Sequence, residues 1–180
     1  LTHVILTGFM ATGKTAVGRR LADRLHRPFL DLDERIERRE GHSIREIFAE
    51  QGEEGFRRIE RETVADLRVD RPSVIATGGG TFVDVANRRI LRRLGIVVCL
   101  VVEFDTILRR VKRKSHRPLA KGPGTAARLR DLWEKRMEAY KQADVMVETD
   151  GLSIDQSAAR VAATIEPRLR ARERGTDEDD

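Results

Sequence analysis

At 180 residues, 39% of them hydrophobic and 36% charged, the chain can bury one substantial core and is too short to divide into several domains. Its 35 Lys and Arg against 30 Asp and Glu leave a net charge of +5. The basic residues are interleaved with acidic ones and the chain has only one Tyr and one Trp, so the excess suits small anionic substrates and nucleic acid is not required. No stretch approaches the ~18 apolar residues of a membrane span, and the lone Cys99 permits neither a disulfide framework nor a Cys/His metal spacing. The expectation is a cytoplasmic, monomeric protein without membrane or nucleic-acid partners.

The first apolar run, residues 4–7, reads as a buried strand. It leads straight into Gly8-Phe9-Met10-Ala11-Thr12-Gly13-Lys14-Thr15, the pattern G-x-x-x-x-G-K-[ST] of a phosphate-binding loop. Val17, Leu21 and Leu25 then recur at helical spacing, which predicts a helix over Lys14–Leu25. The glycines let the backbone turn so that several N–H groups meet one anion, and Ala11, Thr12, Gly13, Lys14, Thr15 and Ala16 form the expected nucleotide-binding turn. Lys14 is placed to meet the β- and γ-phosphates and Thr15 to offer its hydroxyl to Mg²⁺. Hydrolysis, transfer and simple binding all remain open to such a loop.

Further short strands are predicted at 29–32, 73–77, 96–102 and 145–147, separated by helices over 33–40, 44–51, 53–68, 85–94, 105–112, 126–142 and 153–169. Alternation of this kind implies an α/β fold with a five-stranded, mainly parallel sheet. Ser43 and Glu46 form a capping-box pattern, Gly41, Gly52 and Gly95 sit where helices should stop, and Cys99 falls inside a core run. Domain limits follow: one unit over 1–170, a long Pro- and Gly-containing stretch over about 112–124 that reads as a lid, and a disordered charged tail over 171–180.

Ligands of open parallel sheets gather at the carboxyl ends of strands. Asp31 and Asp33 end the second strand, where strand alternation would turn both toward the phosphate loop, one toward the water shell of a metal and the other toward an acceptor hydroxyl. Helix capping by Asp33 is the competing reading. Gly78, Gly79 and Gly80 end the third strand and could form a floor on which substrate meets backbone, or a plain turn. Arg57, Arg110, Arg117 and Arg136 stand out by placement, although spacing alone does not separate them from surface arginines; Arg117, beside Pro118 in the lid, is the one that closure would carry onto a transferring phosphoryl group.

The order of these blocks resembles shikimate kinase across about residues 3 to 150: GFMATGKT followed by VGRRLA, DLDERIERREGHSIREIF, GFRRIE, VIATGGG, RRVKRKSHRPL, and the 132–144 stretch with Arg136, Tyr140 and Ala143-Asp144. The resemblance implies a P-loop kinase fold, a three-layer sandwich like that of nucleoside monophosphate kinases, with a substrate-binding region over about 33–61. It implies an ATP-dependent phosphotransferase that acts on the 3-hydroxyl of shikimate on the way to the aromatic amino acids, with shikimate and MgATP as partners. Asp33, Arg57, Gly79 and Arg136 match the substrate-binding set, with both arginines on the substrate carboxylate and Asp33 near the attacking hydroxyl. Lys14 and Arg117 would stabilise the phosphoryl group, Thr15 and Asp31 would hold Mg²⁺, Arg110 would stack on adenine, and Ile44, Phe48, Phe56 and Glu60 would shape the pocket. The chain departs from the pattern at Ala11, where Gly is frequent, and over 148–154, which lacks the Arg and Pro of the family's adenine loop. A gluconate kinase of the same superfamily and a non-catalytic nucleotide-binding module are the rival readings.

Overall fold

Five strands form one sheet: β1 (His3–Thr7), β2 (Phe29–Asp31), β3 (Val74–Ala76), β4 (Gly95–Val101) and β5 (Val145–Glu148). Their order is β2-β3-β1-β4-β5, and every neighbouring pair is parallel. The computed structural model describes residues 1–113 and 124–175, within which seven helices connect and flank the strands: α1 (Lys14–Leu25), α2 (Leu32–Glu40), α3 (Ile44–Ala65), α4 (Val85–Leu94), α5 (Phe104–Arg113), α6 (Thr125–Tyr140) and α7 (Ile154–Gly175).

Strand alternation divides the core into two layers. Val4 and Leu6 of β1, Val74 of β3, Ile96, Val98 and Leu100 of β4, and Val145 and Val147 of β5 pack on one face against Val17 and Leu21 of α1 and Ala158, Val161 and Ile165 of α7. Ile5, Ile75, Val97 and Cys99 point the other way, toward Val64, Leu91, Ile107, Leu129 and Tyr140 from α3, α4, α5 and α6. Both faces are therefore covered, which is why the strands read as continuous apolar runs. A smaller cluster of Ile36, Ile47, Phe56 and Ile59 joins α2 to α3 beside the sheet. Cys99 is a core thiol whose pKa burial pushes up to about 12, and among the described residues no helix is long and apolar enough to cross a membrane.

The expected elements are present, with two corrections. The helices expected at 44–51 and 53–68 lie on either side of a break inside α3 at Gly52, whose backbone (φ 67°, ψ −172°) is not helical, so Gly52 stops the first as expected; Ile47 before the break and Phe56 and Ile59 after it share one apolar cluster. Helix α7 continues to Gly175, so residues 171–175, expected to be disordered, are helical. Their charge is carried largely by Arg and Glu, which are good helix formers, and Arg170 pairs with Glu166 one turn away. Asp33 lies in the first turn of α2, not on β2. Of the expected lid, residues 114–123 lie outside the described residues, as do residues 176–180 of the tail.

Because β1 sits between β3 and β4, the loop after β1 opens between the ends of its two neighbours. The segments following β1, β2 and β3 consequently converge on one edge of the sheet, the crevice position for a ligand in an open parallel sheet.

Candidate active site

The loop after β1 is built around its backbone. Gly8 has φ 133° and packs so closely on β4 that a methyl group there would lie 2.6 Å from the Leu100 carbonyl oxygen. The Thr12 hydroxyl donates to the Phe9 carbonyl at 2.9 Å, and Ala11 accepts a left-handed backbone (φ 63°). Gly13 (φ 95°) precedes α1 without a side-chain cap, so the first-turn N–H groups and the positive end of the helix dipole face the loop. Lys14, nine-tenths buried, folds over the turn and donates to the Gly8 and Phe9 carbonyls, both at 2.9 Å.

Beside the start of α1, the Thr15 hydroxyl donates to Asp31 Oδ2 at 2.7 Å. The other Asp31 oxygen accepts from the Asp33 N–H at 3.0 Å, so Asp31 is the cap of α2 and Asp33 is free of that task. This reverses the competing reading of the pair. Asp33 faces the loop because helical geometry turns it there. Burial raises its pKa to about 6; the Asp31, Glu60 and Glu37 charges add to the rise, and Lys14 opposes it. The Thr15 hydroxyl and Asp31 carboxylate form a hard-oxygen pair that suits a hydrated Mg²⁺ shared with phosphate oxygens. Among the described residues no cluster of three or more His, Cys, Asp or Glu could hold a metal unaided.

A second layer of charge stands across from Asp33. Glu60, 1% exposed on α3, accepts from the Thr81 hydroxyl at 2.6 Å and from Arg57 at 2.8 Å. Burial disfavours the charge on Arg57, but Glu60 and Glu53 outweigh it and raise the pKa of the guanidinium. Gly78 lies between Asp33, Thr81 and Glu60, with room for no side chain: a methyl group would sit 2.8 Å from Asp33 Oδ1. At Gly80 a methyl would meet both terminal Arg57 nitrogens at 2.5 Å, and at Gly79 it would lie 3.5 Å from an Arg136 nitrogen. The successive glycines thus place backbone against two guanidinium groups. Arg136 also lies over the Phe9 ring at 5.7 Å, and the Tyr140 hydroxyl, one turn further along α6, donates to the Gly79 carbonyl.

Asp33, Gly78, Gly79 and Arg110 meet the loop of residues 10–17 around one cleft of about 960 Å³; Asp31, Arg57, Gly80 and Arg136 are not part of that lining. Arg110 of α5 donates to the Ala11 carbonyl at 3.0 Å, tying α5 to the loop. Arg117 lies outside the described residues. Sequence reasoning did not single out Arg19, Arg113 or Ser157 as lining; Leu152 and Ile154, within the 148–154 stretch matched to the family's adenine loop, form an apolar end of the cleft.

The shikimate kinase family model matches residues 10–166. The shikimate kinase of Cereibacter sphaeroides is 43% identical over 165 residues, covering 92% of this chain and 83% of that one. That of Symbiobacterium thermophilum is 43% identical over 169 residues, covering 92% and 97%. Among solved structures, the shikimate kinase from Acinetobacter baumannii in complex with shikimate superposes with a TM-score of 0.86 at 38% identity, covering 93% of this chain and 94% of that one.

Proposed function

The chain belongs to the shikimate kinase family, and from that premise we propose how its cleft performs the family's reaction, transfer of the γ-phosphoryl group of ATP to the 3-hydroxyl of shikimate to give shikimate 3-phosphate and ADP. The observation that carries the acceptor side is the placement of Arg57 and Arg136 beside Gly80 and Gly79, across from the half-buried carboxyl of Asp33. Guanidinium forks match a carboxylate, and a carboxylate base matches a hydroxyl. A substrate bearing both groups satisfies the arrangement.

On this reading the N–H groups of residues 11–16 cradle the phosphates and Lys14 exchanges its contacts with the Gly8 and Phe9 carbonyls for β- and γ-phosphate oxygens. Thr15 would hold Mg²⁺ directly and Asp31 through water; when bound, the ion neutralises charge on the β- and γ-phosphates. Asp33 orients the acceptor hydroxyl and takes its proton, Arg57 and Arg136 hold the carboxylate, and Arg117 stabilises the charge on the phosphoryl group in flight. Arg110, with the apolar surface of Leu152 and Ile154, is positioned for the base.

The direct test is ADP release from MgATP with and without shikimate, with gluconate as the competing acceptor and Lys14→Ala as the control. Stimulation by shikimate alone supports the reading; stimulation by gluconate, or by neither acceptor, overturns the acceptor assignment. Two further outcomes are expected. Because Asp33 must be ionised to accept a proton and its pKa is about 6, kcat/KM for shikimate should rise through about pH 6 to a plateau, and a profile flat from pH 5 to 8 would remove Asp33 from the role of base. Gly80→Ala should fold with a lowered Tm, since the methyl meets the end of Arg57 and pushes it off the buried Glu60 carboxylate. Displacing that guanidinium from Glu60 should raise KM for shikimate at least about tenfold and leave KM for ATP alone; steady-state kinetics with both substrates varied decide it.

A further inference from the structure

The turn between β3 and α4 has three glycines in succession, so it offers a ligand no side chains, only the directions of its peptide groups. Two of its three glycine carbonyls are held inside the turn: Gly78 accepts from the Thr81 N–H at 3.3 Å and Gly80 from the Val83 N–H at 3.0 Å. The third, that of Gly79, reaches out of the turn and accepts from the Tyr140 hydroxyl. Tyr140 is 1% exposed, among the largest fully buried side chains, and its ring packs in the main core. Burial raises its pKa, so the hydroxyl keeps the proton that it donates.

In a trans peptide the carbonyl oxygen and the following N–H point to opposite sides of the chain. A Gly79 carbonyl fixed on Tyr140 therefore sends the Gly80 N–H away from the core. Among the described residues neither the Gly79 nor the Gly80 N–H has an acceptor. A Gly-Gly peptide freed of this tie could rotate, since no Cβ on either side resists it. It would then present an oxygen where a donor had been, next to the two arginines recruited for an anionic substrate.

The geometry points to Tyr140 as a positioning residue for the acceptor: its hydroxyl locks the Gly79–Gly80 peptide with the N–H presented to shikimate, and couples that lock to α6, the helix that carries Arg136. This rests on the reading of the cleft given above. The coupling is local, because Arg136 and Tyr140 are one turn apart on the same helix and both face Gly79.

Tyr140→Phe keeps the ring in the core and removes only the hydroxyl. The expected result is a rise of about tenfold in KM for shikimate, with kcat within about twofold and KM for ATP unchanged. An unchanged KM for shikimate overturns the proposal. So does a fall in kcat accompanied by equal changes in both KM values, which is what a merely loosened core would give. Leu129→Ala, buried in the same core on the same helix, is the control for loosening; it should lower Tm without moving KM for shikimate. A second measurement needs no variant: in the intact protein the Gly80 amide should shift and gain exchange protection when shikimate is added, and an amide indifferent to shikimate overturns the proposal. If the wild-type enzyme shows no shikimate-dependent ADP release, it is the functional reading that fails, before Tyr140 is tested.

Discussion

Asp33→Asn should lower turnover about a thousandfold and, at neutral pH, raise the thermal stability of the protein. The first effect follows from loss of the group that orients and deprotonates the acceptor hydroxyl. The second follows from the cost of keeping that group charged. Burial and the neighbouring Asp31 charge raise the pKa of Asp33 from 3.8 to about 6 in the folded protein. The folded state therefore binds the proton more tightly than the unfolded chain does, and above about pH 6 the ionised carboxylate destabilises the fold. As pH falls through about 6 toward 3.8, the wild type takes up the proton and recovers the difference. A shift of this size corresponds to about 2 to 3 kcal/mol. For a chain of this length that is a gain of about 5 to 10 °C in Tm. The gap between Asp33→Asn and wild type should be open at pH 8 and closed near pH 4, and melting curves at both values measure it. ATP affinity should hold or improve, because the variant removes a negative charge from a cleft that receives phosphates. A Tm gap independent of pH, or a loss of ATP affinity matching the loss of turnover, would contradict the assignment.

The same residue shows what sequence can and cannot supply. That Asp31 and Asp33 lie at the phosphate loop follows from the apolar run before them and the rule for strand ends. Their division of labour came only with the family resemblance and not from spacing. Strand alternation put them on one face as equals, whereas β2 ends at Asp31, which caps α2 and receives the Thr15 hydroxyl, leaving Asp33 with its raised pKa. The loop itself was legible because its glycines and Lys14 are close in sequence and each has a steric or electrostatic reason. The supports of the acceptor site were not, because they are long-range pairings of side chains: Thr81 with Glu60, and Tyr140 with the Gly79 carbonyl. No spacing rule carries information across such separations. Gly52 was legible as a stop because glycine often ends helices, and its non-helical backbone (φ 67°, ψ −172°) does interrupt α3 there.

Within the phosphate loop, two substitutions that each exchange one methyl group should act in opposite directions. Gly8→Ala places a Cβ on a residue with φ 133°, at 2.6 Å from the Leu100 carbonyl oxygen. The backbone strain costs about 1 to 3 kcal/mol, and because the obstructing atom belongs to the backbone of the interior strand β4, relief requires β1 and β4 to part, at about 1 to 3 kcal/mol more. The expected fall in Tm is about 10 °C or more, with a loss of ATP affinity as the turn is displaced from Lys14. Ala11→Gly removes a Cβ from a residue held at φ 63°, a conformation that costs an L-residue about 1 to 2 kcal/mol. The extra freedom of glycine in the unfolded chain returns about 0.4 to 1 kcal/mol of that. Ala11→Gly should thus be neutral or stabilising by up to about 1.5 kcal/mol, with ATP affinity intact, since the loop keeps its shape and its N–H groups. Melting curves and ATP titrations of the two variants separate a turn held in one conformation by its contacts with β4 from one that adapts to its ligand. Two small effects of the same sign would mean that the turn adapts, and that Lys14 and the helix dipole, not the fixed backbone, bind the phosphates.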